Sequence, residues 1–310
     1  MPHISLRQIR IFDSVARYQS HTRAAEKMHM TQPAVSMQMK QLEQNLGISL
    51  FERHGKSLNL SSAGQDLSTY SKKVIQSFNN MLEYVDKIKG CESGHLVISV
   101  ASTANHFTTR ILSAFAKKHP DITISLDVTN RQKILQQLEN YEPDLVIMGE
   151  PPKGLGLQSE RFMPNPLVII APPDHPLAQR KNLKIKDLKN EKFVVREKGS
   201  GTREAIERHF DNSGICCAST LEMSSNEAIK HSVSAGFGLG IVSLHTIELE
   251  LNNKLLVTLD VEDFPLQRFW HLVTRTGKNM SPVAEAFRTF LLEEVQHYIV
   301  EHTQKPARIS

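Results

Sequence analysis

The chain has 310 residues, 40% of them hydrophobic and 23% charged, with a net charge of +4. That length allows two to three domains at about 100–200 residues each, and the composition is that of a globular protein rather than a disordered or fibrous one. No apolar run approaches the ~18 residues of a membrane span, the N-terminus lacks the apolar core of a signal peptide, and Cys91, Cys216 and Cys217, with no Cys-x-x-Cys spacing, argue against a disulfide framework or a zinc site.

These features predict a cytoplasmic protein with no membrane partner, no cofactor, and thiols that are packed rather than redox-sensing. The excess charge is local. Residues 1–64 hold eight Lys and Arg against four Asp and Glu, which accounts for the whole +4 and marks this end as the one to meet phosphates. Leu6, Ile9, Ile11, Phe12, Val15 and Ala16 recur at helical spacing and predict an amphipathic helix over 5–18. Thr22 is placed to cap a second helix, with Ala24, Ala25 and Met28 on its buried face. Thr31 is placed to cap a third, and Pro33 sits in its first turn, where a missing N–H costs nothing. Ala34, Val35, Met39, Leu42 and Leu46 form its core stripe, and Gly47 ends it.

A helix, a tight break and a second helix that opens on polar residues make the order of a helix-turn-helix. The major groove of DNA admits one helix, whose N-terminal side chains must reach base edges. Gln32 suits a bidentate contact to adenine, Ser36 a base or a phosphate, and Lys40 a phosphate, with Arg23, Thr31, Pro33 and Gln38 completing the DNA-facing set. A merely solvated helix face competes for any one of these residues. The coincidence of break, cap and polar start favours double-stranded DNA for the face as a whole. Residues 50–64 then supply two short extended pieces around His54-Gly55-Lys56, a hairpin wing that sets Arg53 and Lys56 near the DNA backbone.

The run Ala24-Ala25, Thr31-Gln32-Pro33-Ala34-Val35-Ser36, Gln41-Leu42-Glu43, Leu46-Gly47, Leu50-Phe51-Glu52-Arg53 and Leu60-x-x-Ala63-Gly64 closely resembles LysR-type transcriptional regulators. The resemblance implies a winged helix-turn-helix at a promoter or operator, carried on a homodimer or homotetramer, with RNA polymerase as a further partner. One departure is Met37, where the family usually has Arg. Loss of that charged contact points to an altered target sequence. Met28, Met30 and Met39 nearby read as gap fillers.

Ser61 or Ser62 can cap a long helix whose apolar positions, Leu67, Tyr70, Val74, Phe78, Met81, Val85 and Ile88, form a heptad seam. Such a stripe must be buried on its own domain or on a partner copy. The partner copy is the simpler reading, and it resembles the family's dimerising linker. The expected divisions are a DNA-binding domain over 1–61, a linker helix over 62–90 and an effector domain over 91–310.

From residue 95 strand and helix patterns alternate, which predicts parallel α/β sheets. Strands are expected over 96–101, 122–128, 144–148, 167–171, 193–196, 219–223, 239–242 and 269–274. Helices are expected over 107–119, 132–140, 202–211, 226–235 and 282–299. The set divides into lobe I (91–166 and 268–310) and lobe II (167–267), joined by two crossings around a hinged cleft. This resembles the family's effector domain, which shares its fold with type II periplasmic solute-binding proteins.

Two loops of small residues, each between a strand and a helix, point at that cleft. One carries Ser102, Thr103 and Asn105, and the other carries Arg196, Gly199, Ser200, Thr202 and Arg203. Free backbone N–H groups at such a turn hold a ligand, hydroxyls donate to it, and Arg196 or Arg203 can pair with an anion. Simple helix capping is the competing role for the hydroxyls. Gly149 and Glu150 lie beside them at another strand end. The run 236–240 is a turn packed on the sheet and not a dinucleotide fingerprint, because it precedes a strand.

Within the family, Met148-Gly149-x-Pro151-Pro152, the run from Asn165 to Ala178 and Arg196-x-x-Gly199-Ser200-Gly201-Thr202-Arg203 are most similar to regulators of the RuBisCO operon. That resemblance implies a small anionic metabolite as effector and carbon-fixation genes as targets. Relatives that govern sulfur or nitrogen operons share the same loops. An enzyme is disfavoured, because Ser200 and His209 lie on one predicted helix with no acidic partner suitably spaced, and no His-x-x-x-His pair offers a metal site. A transport-type solute binder would need export and would not carry a DNA reader.

Overall fold

The computed structural model describes residues 3–54, 57–88, 93–213 and 219–303. The chain divides into two units, Met1–Cys91 and Glu92–Ser310. Lys56, Cys91, Cys216 and Cys217 lie outside the described residues.

The first unit runs α1 (Leu6–Tyr18), α2 (His21–Lys27), α3 (Gln32–Leu46), β1 (Phe51–His54), β2 (Ser57–Leu60) and α4 (Ser62–Ile88). Ile11, Phe12, Val15, Ala24, Ala25, Val35, Met39, Leu42 and Leu50 form its core, and Met28 and Met30 pack against the edge. The paired alanines are buried where α2 meets its neighbours. Two caps differ from expectation. Ser20, not Thr22, caps α2, its Oγ accepting from the Arg23 N–H at 3.3 Å, because the helix begins two residues earlier than a Thr22 cap requires. Thr31 holds the N-cap position of α3 but makes no side-chain cap bond. Pro33, at the second helical position, removes one of the N–H groups a capping hydroxyl would address. Ser61 does cap α4, accepting from the Gly64 N–H at 3.0 Å. At 1.5 Å per residue α4 is about 40 Å long. Arg10 of α1 lies 5.6 Å over the Phe78 ring, so part of the seam is covered within the chain. Tyr70, Val74, Met81 and Val85 remain exposed.

The second unit opens with β3 (Gly94–Ala101), a 3-10 turn (Ser102–Ala104), α5 (Asn105–Lys118), β4 (Ile122–Thr129), α6 (Arg131–Glu139), β5 (Leu145–Met148) and β6 (Leu157–Pro164). It continues through β7 (Leu167–Ala171), β8 (Phe193–Arg196), α7 (Gly201–Asn212), β9 (Ser219–Met223), α8 (Asn226–Ser234) and β10 (Leu239–Ser243). A 3-10 turn (Leu244–Thr246), α9 (Glu248–Asn252), β11 (Val257–Thr258), β12 (Phe269–Arg275) and α10 (Pro282–Thr303) follow. The strands form two five-stranded sheets, β4-β3-β5-β12-β6 and β11-β7-β10-β8-β9, so the fold is two-lobed and β12 rejoins the first lobe.

The sheets are mixed rather than parallel. β12 runs antiparallel to β5 and β6, and β7 runs antiparallel to β10 and β11. Reversal occurs where the chain crosses between lobes, because a strand that returns without a crossover helix re-enters from the opposite end. The sequence patterns did not mark β6, whose mostly polar Leu-Gln-Ser-Glu-Arg-Phe-Met-Pro follows from its edge position. Each lobe has its own core, around Phe107, Phe115, Trp270 and Phe287 in the first and around Phe193, Phe210, Leu239 and Ile241 in the second. No described helix is long and apolar enough to cross a membrane, and the described residues hold no cluster of His, Cys, Asp and Glu able to bind a metal.

Candidate functional site

The outer face of α3 presents Thr31, Gln32 and Lys40 fully to solvent, with Ser36 and Gln38 half-buried. Gln32 donates from Nε2 to Ser36 Oγ at 2.9 Å, and Ser36 Oγ lies 2.7 Å from His21 Nδ1. His21 in turn stands edge-on to Phe51 of the hairpin. The polar tip of α3 is therefore braced by α2 and the wing rather than loose. Arg23 is exposed on α2, and Pro33 is exposed in the first turn of α3. Arg53 lies on β1 opposite Leu58. Met37 is 62% exposed, an apolar side chain on the same helix. His21 was not marked by the sequence. Its part becomes visible only once α2 is packed against Ser36.

The second site is an open cleft between the two lobes of the C-terminal unit, with about 410 Å³ of empty space counting the solvent at its mouth. Of the expected residues, Ser102, Thr103, Gly149, Arg196, Ser200 and Thr202 line it. Four others do not. Asn105 starts α5, and the Glu150 carbonyl accepts from Arg131 Nη1 at 2.6 Å. The Gly199 carbonyl accepts from the Gln132 N–H at 3.3 Å. Arg203 turns away, held by Glu207 at 2.6 Å, by Glu222 and by the Arg196 carbonyl, and the bonds to Glu207 and Glu222 raise its pKa. It is a structural cation rather than a free partner for an anion.

The structure adds Asn130, Arg131, Asn165, Arg268 and Trp270 to the wall. The arginines differ in how much of their charge is available. Arg196, 2% exposed, is bidentate to Glu197 at 2.7 and 3.0 Å, and also donates to Asn226 Oδ1 at 3.0 Å and Ser102 Oγ at 3.2 Å. Arg131 lies 3.1 Å from Glu204. Arg268 donates to the Gly201 carbonyl at 2.9 Å and has no carboxylate within ion-pair distance among the described residues. Burial lowers its pKa, the Arg131 and Arg208 charges push the same way, and the Glu150 and Glu204 charges oppose them. Gly149 leaves room for it, since a Cβ there would stand 3.1 Å from Arg268 Nη2. A half-buried guanidinium with no carboxylate at ion-pair distance among the described residues is a ready partner for an anionic ligand.

Several bonds tie the lobes across this cavity: Arg196 to Ser102, Arg268 to the Gly201 carbonyl, the Gln132 N–H to the Gly199 carbonyl, and Arg131 to Glu204. Beside them His106 stacks on His245 at 6.1 Å, and His245 Nε2 lies 3.0 Å from the Pro164 carbonyl. Burial of the imidazole lowers the His106 pKa to about 4, with His245 and Lys230 adding to the effect against the Thr103 carbonyl, although the residue as a whole is exposed. The folded state thus binds fewer protons than the unfolded state between about pH 4 and 6.5. Thermal stability of the C-terminal unit is expected to fall as pH drops through that window. H106Q should flatten that slope in calorimetric scans, and an unchanged slope would remove His106 as its source.

Residues 6–65 match the family of bacterial regulatory helix-turn-helix proteins, lysR family, and residues 89–296 match the LysR substrate binding domain. The chain is 51% identical over 292 residues to the RuBisCO operon transcriptional regulator of Allochromatium vinosum, covering 94% of this chain and 97% of that one. It is similar to the Synechocystis PCC6803 CcmR regulatory domain solved in complex with 2-PG, with 39% identity and a TM-score of 0.64 over 66% of this chain and 98% of that one. A full-length OxyR variant from Pseudomonas aeruginosa shares the fold at a TM-score of 0.73 and 19% identity, covering 95% of each chain.

Proposed function

The chain belongs to the LysR family of DNA-binding transcriptional regulators, and on that premise we propose that it controls a carbon-fixation operon in response to a small anionic metabolite held between its two lobes. The observation that carries the effector reading is Arg268, a half-buried cation on the cavity wall with no carboxylate at ion-pair distance among the described residues. The operon follows from the 51% identity to a RuBisCO operon regulator along nearly the whole of both chains. Ser102, Thr103, Arg196, Ser200 and Thr202 then hold the ligand from both lobes, with 2-PG, present in the CcmR complex, as the first compound to test. A ligand that touches both lobes binds the closed form better than the open one, and this difference in affinity is what shifts a two-state switch.

On DNA, Gln32, Ser36 and Gln38 read bases, while Arg23, Thr31, Lys40, Arg53 and Lys56 fix the frame on the phosphates and Pro33 sets the start of the reading helix. The exposed Tyr70, Val74, Met81 and Val85 stripe of α4 pairs with a second copy, making a dimer or a tetramer that matches a two-fold operator. A regulator so placed at a promoter also meets RNA polymerase. The test is binding to the protein's own upstream DNA across a salt series. Affinity should fall steeply with salt, by a log–log slope of about −0.9 per phosphate contacted. Gln32→Ala should lose about 1–3 kcal/mol of discrimination at one base pair while keeping that slope. Salt-independent, sequence-blind binding would refute the reading.

A further inference from the structure

Two residues of the cavity wall each carry a buried polar atom with no hydrogen-bond partner among the described residues. Trp270 is 1% exposed and Asn165 is 4% exposed, and neither Trp270 Nε1 nor Asn165 Oδ1 has a hydrogen-bond partner. Both residues line the cavity. They also lie at the same end of the β6–β12 pairing, Asn165 one residue past β6 and Trp270 on β12 opposite Met163. The Asn165 N–H donates to the Arg268 carbonyl at 2.7 Å, and Trp270 follows Arg268 by two residues in extended chain, which puts the two side chains on one face. A buried polar group left unpaired costs about 1–3 kcal/mol, and packing does not require this arrangement. The indole already fills the first lobe's core against Phe107 at 5.7 Å, a role that a phenyl ring would also serve.

The two atoms make opposite demands. An indole N–H only donates, and an amide oxygen only accepts. An ionised acid oxygen satisfies Trp270 but sets lone pair against lone pair at Asn165. A hydroxyl both donates and accepts, so it satisfies the pair. We propose that Trp270 and Asn165 are specificity determinants that recognise a hydroxyl group on the effector, so that the ligand class is a hydroxylated acid anion rather than a bare acid. The proposal rests on the anion-binding reading of the same cavity and refines it. Arg268 takes the charge, and the neighbouring pair selects the hydroxyl.

The chain has a single tryptophan, which makes the test direct. In the full-length protein labelled with nitrogen-15, one indole N–H cross-peak should be seen. Two matched probe pairs are titrated, glycerol 3-phosphate against n-propyl phosphate, and 3-phosphoglycerate against its 2-deoxy analogue, with affinities read by calorimetry. In at least one pair the hydroxylated compound is expected to bind at least tenfold more tightly than its partner and to move the indole proton downfield, because a site built to hold a hydroxyl penalises the analogue without it. Trp270→Phe and Asn165→Leu, each checked by thermal unfolding, should reduce that preference to under about threefold while the deoxy anion keeps its affinity. Two variants are used so that a folding defect in one leaves the other as the test. Equal binding within both pairs, or a preference that survives both variants, overturns the hydroxyl proposal and leaves the anion site standing. Failure of all four anions to bind the wild-type protein overturns both.

Discussion

Arg268→Met is expected to weaken binding of an anionic effector by about 30-fold or more, the loss typical of removing one partner from a desolvated charge pair. The ligand-free protein should lose little stability. In that state the guanidinium is half-buried, has no carboxylate at ion-pair distance among the described residues, and faces the charges of Arg131 and Arg208, which together outweigh the opposing charges of Glu150 and Glu204 and disfavour its charged form. Replacing it with an apolar side chain of similar length relieves that penalty, and the lost bond to the Gly201 carbonyl offsets the gain by about 1 kcal/mol. Calorimetric titration with 2-PG and thermal scans without ligand measure the two effects separately. Arg203→Met is the contrasting case. It strands the Glu207 and Glu222 carboxylates on the surface and should cost stability with little change in affinity. If Arg203→Met abolished binding and Arg268→Met did not, the assignment of the anion partner would be reversed.

That contrast shows where the sequence was readable. Arg203 follows a strand and a small-residue loop, so its position in the chain marked it; Glu207, four residues on along α7, was a readable i,i+4 partner, whereas Glu222 comes from β9 and no local pattern announces it. Arg268 and Trp270 carry no local signal. They reach the cavity because the chain leaves the second lobe and adds β12 to the first sheet, a long-range event that places them beside Asn165. Asn130 and Arg131 are a different case. They lie between β4 and α6 in the same strand–loop–helix setting as the two loops that did stand out, and only the absence of glycine and serine there hid them. The helices of the N-terminal unit were legible because one amphipathic period governs each, and their caps were less so. Ser20 and Thr22 are both competent caps by type, and the first turn of α2 chose between them.

Gly64→Ala should damage DNA binding more than any single change on the reading face, although it touches no DNA in this account. A Cβ at this position would stand 2.1 Å from the Leu50 carbonyl oxygen and 3.1 Å from Leu60 Cδ2, far inside contact distance, and the first obstacle is backbone. Relief requires the start of α4 and the hairpin to separate. That junction is tightly bonded. The Ser61 N–H donates to the same Leu50 carbonyl at 3.0 Å, Ser61 Oγ donates to the Ser49 carbonyl at 2.8 Å, and the Glu43 carboxylate at the end of α3 accepts from the Leu50 N–H at 2.7 Å. Moving Leu50 therefore disturbs α3, the wing and the linker helix together. Overpacking of this kind costs about 1–3 kcal/mol or more, which for a unit of this size lowers its melting temperature by about 4–8 °C per kcal/mol. Operator affinity should fall at least about tenfold, since Phe51, which moves with Leu50, braces His21 behind Ser36. Effector affinity should be unchanged, because the cavity is built wholly from the other unit. Unchanged operator binding together with an unchanged melting temperature would show that the hairpin is not held against α4 through Leu50.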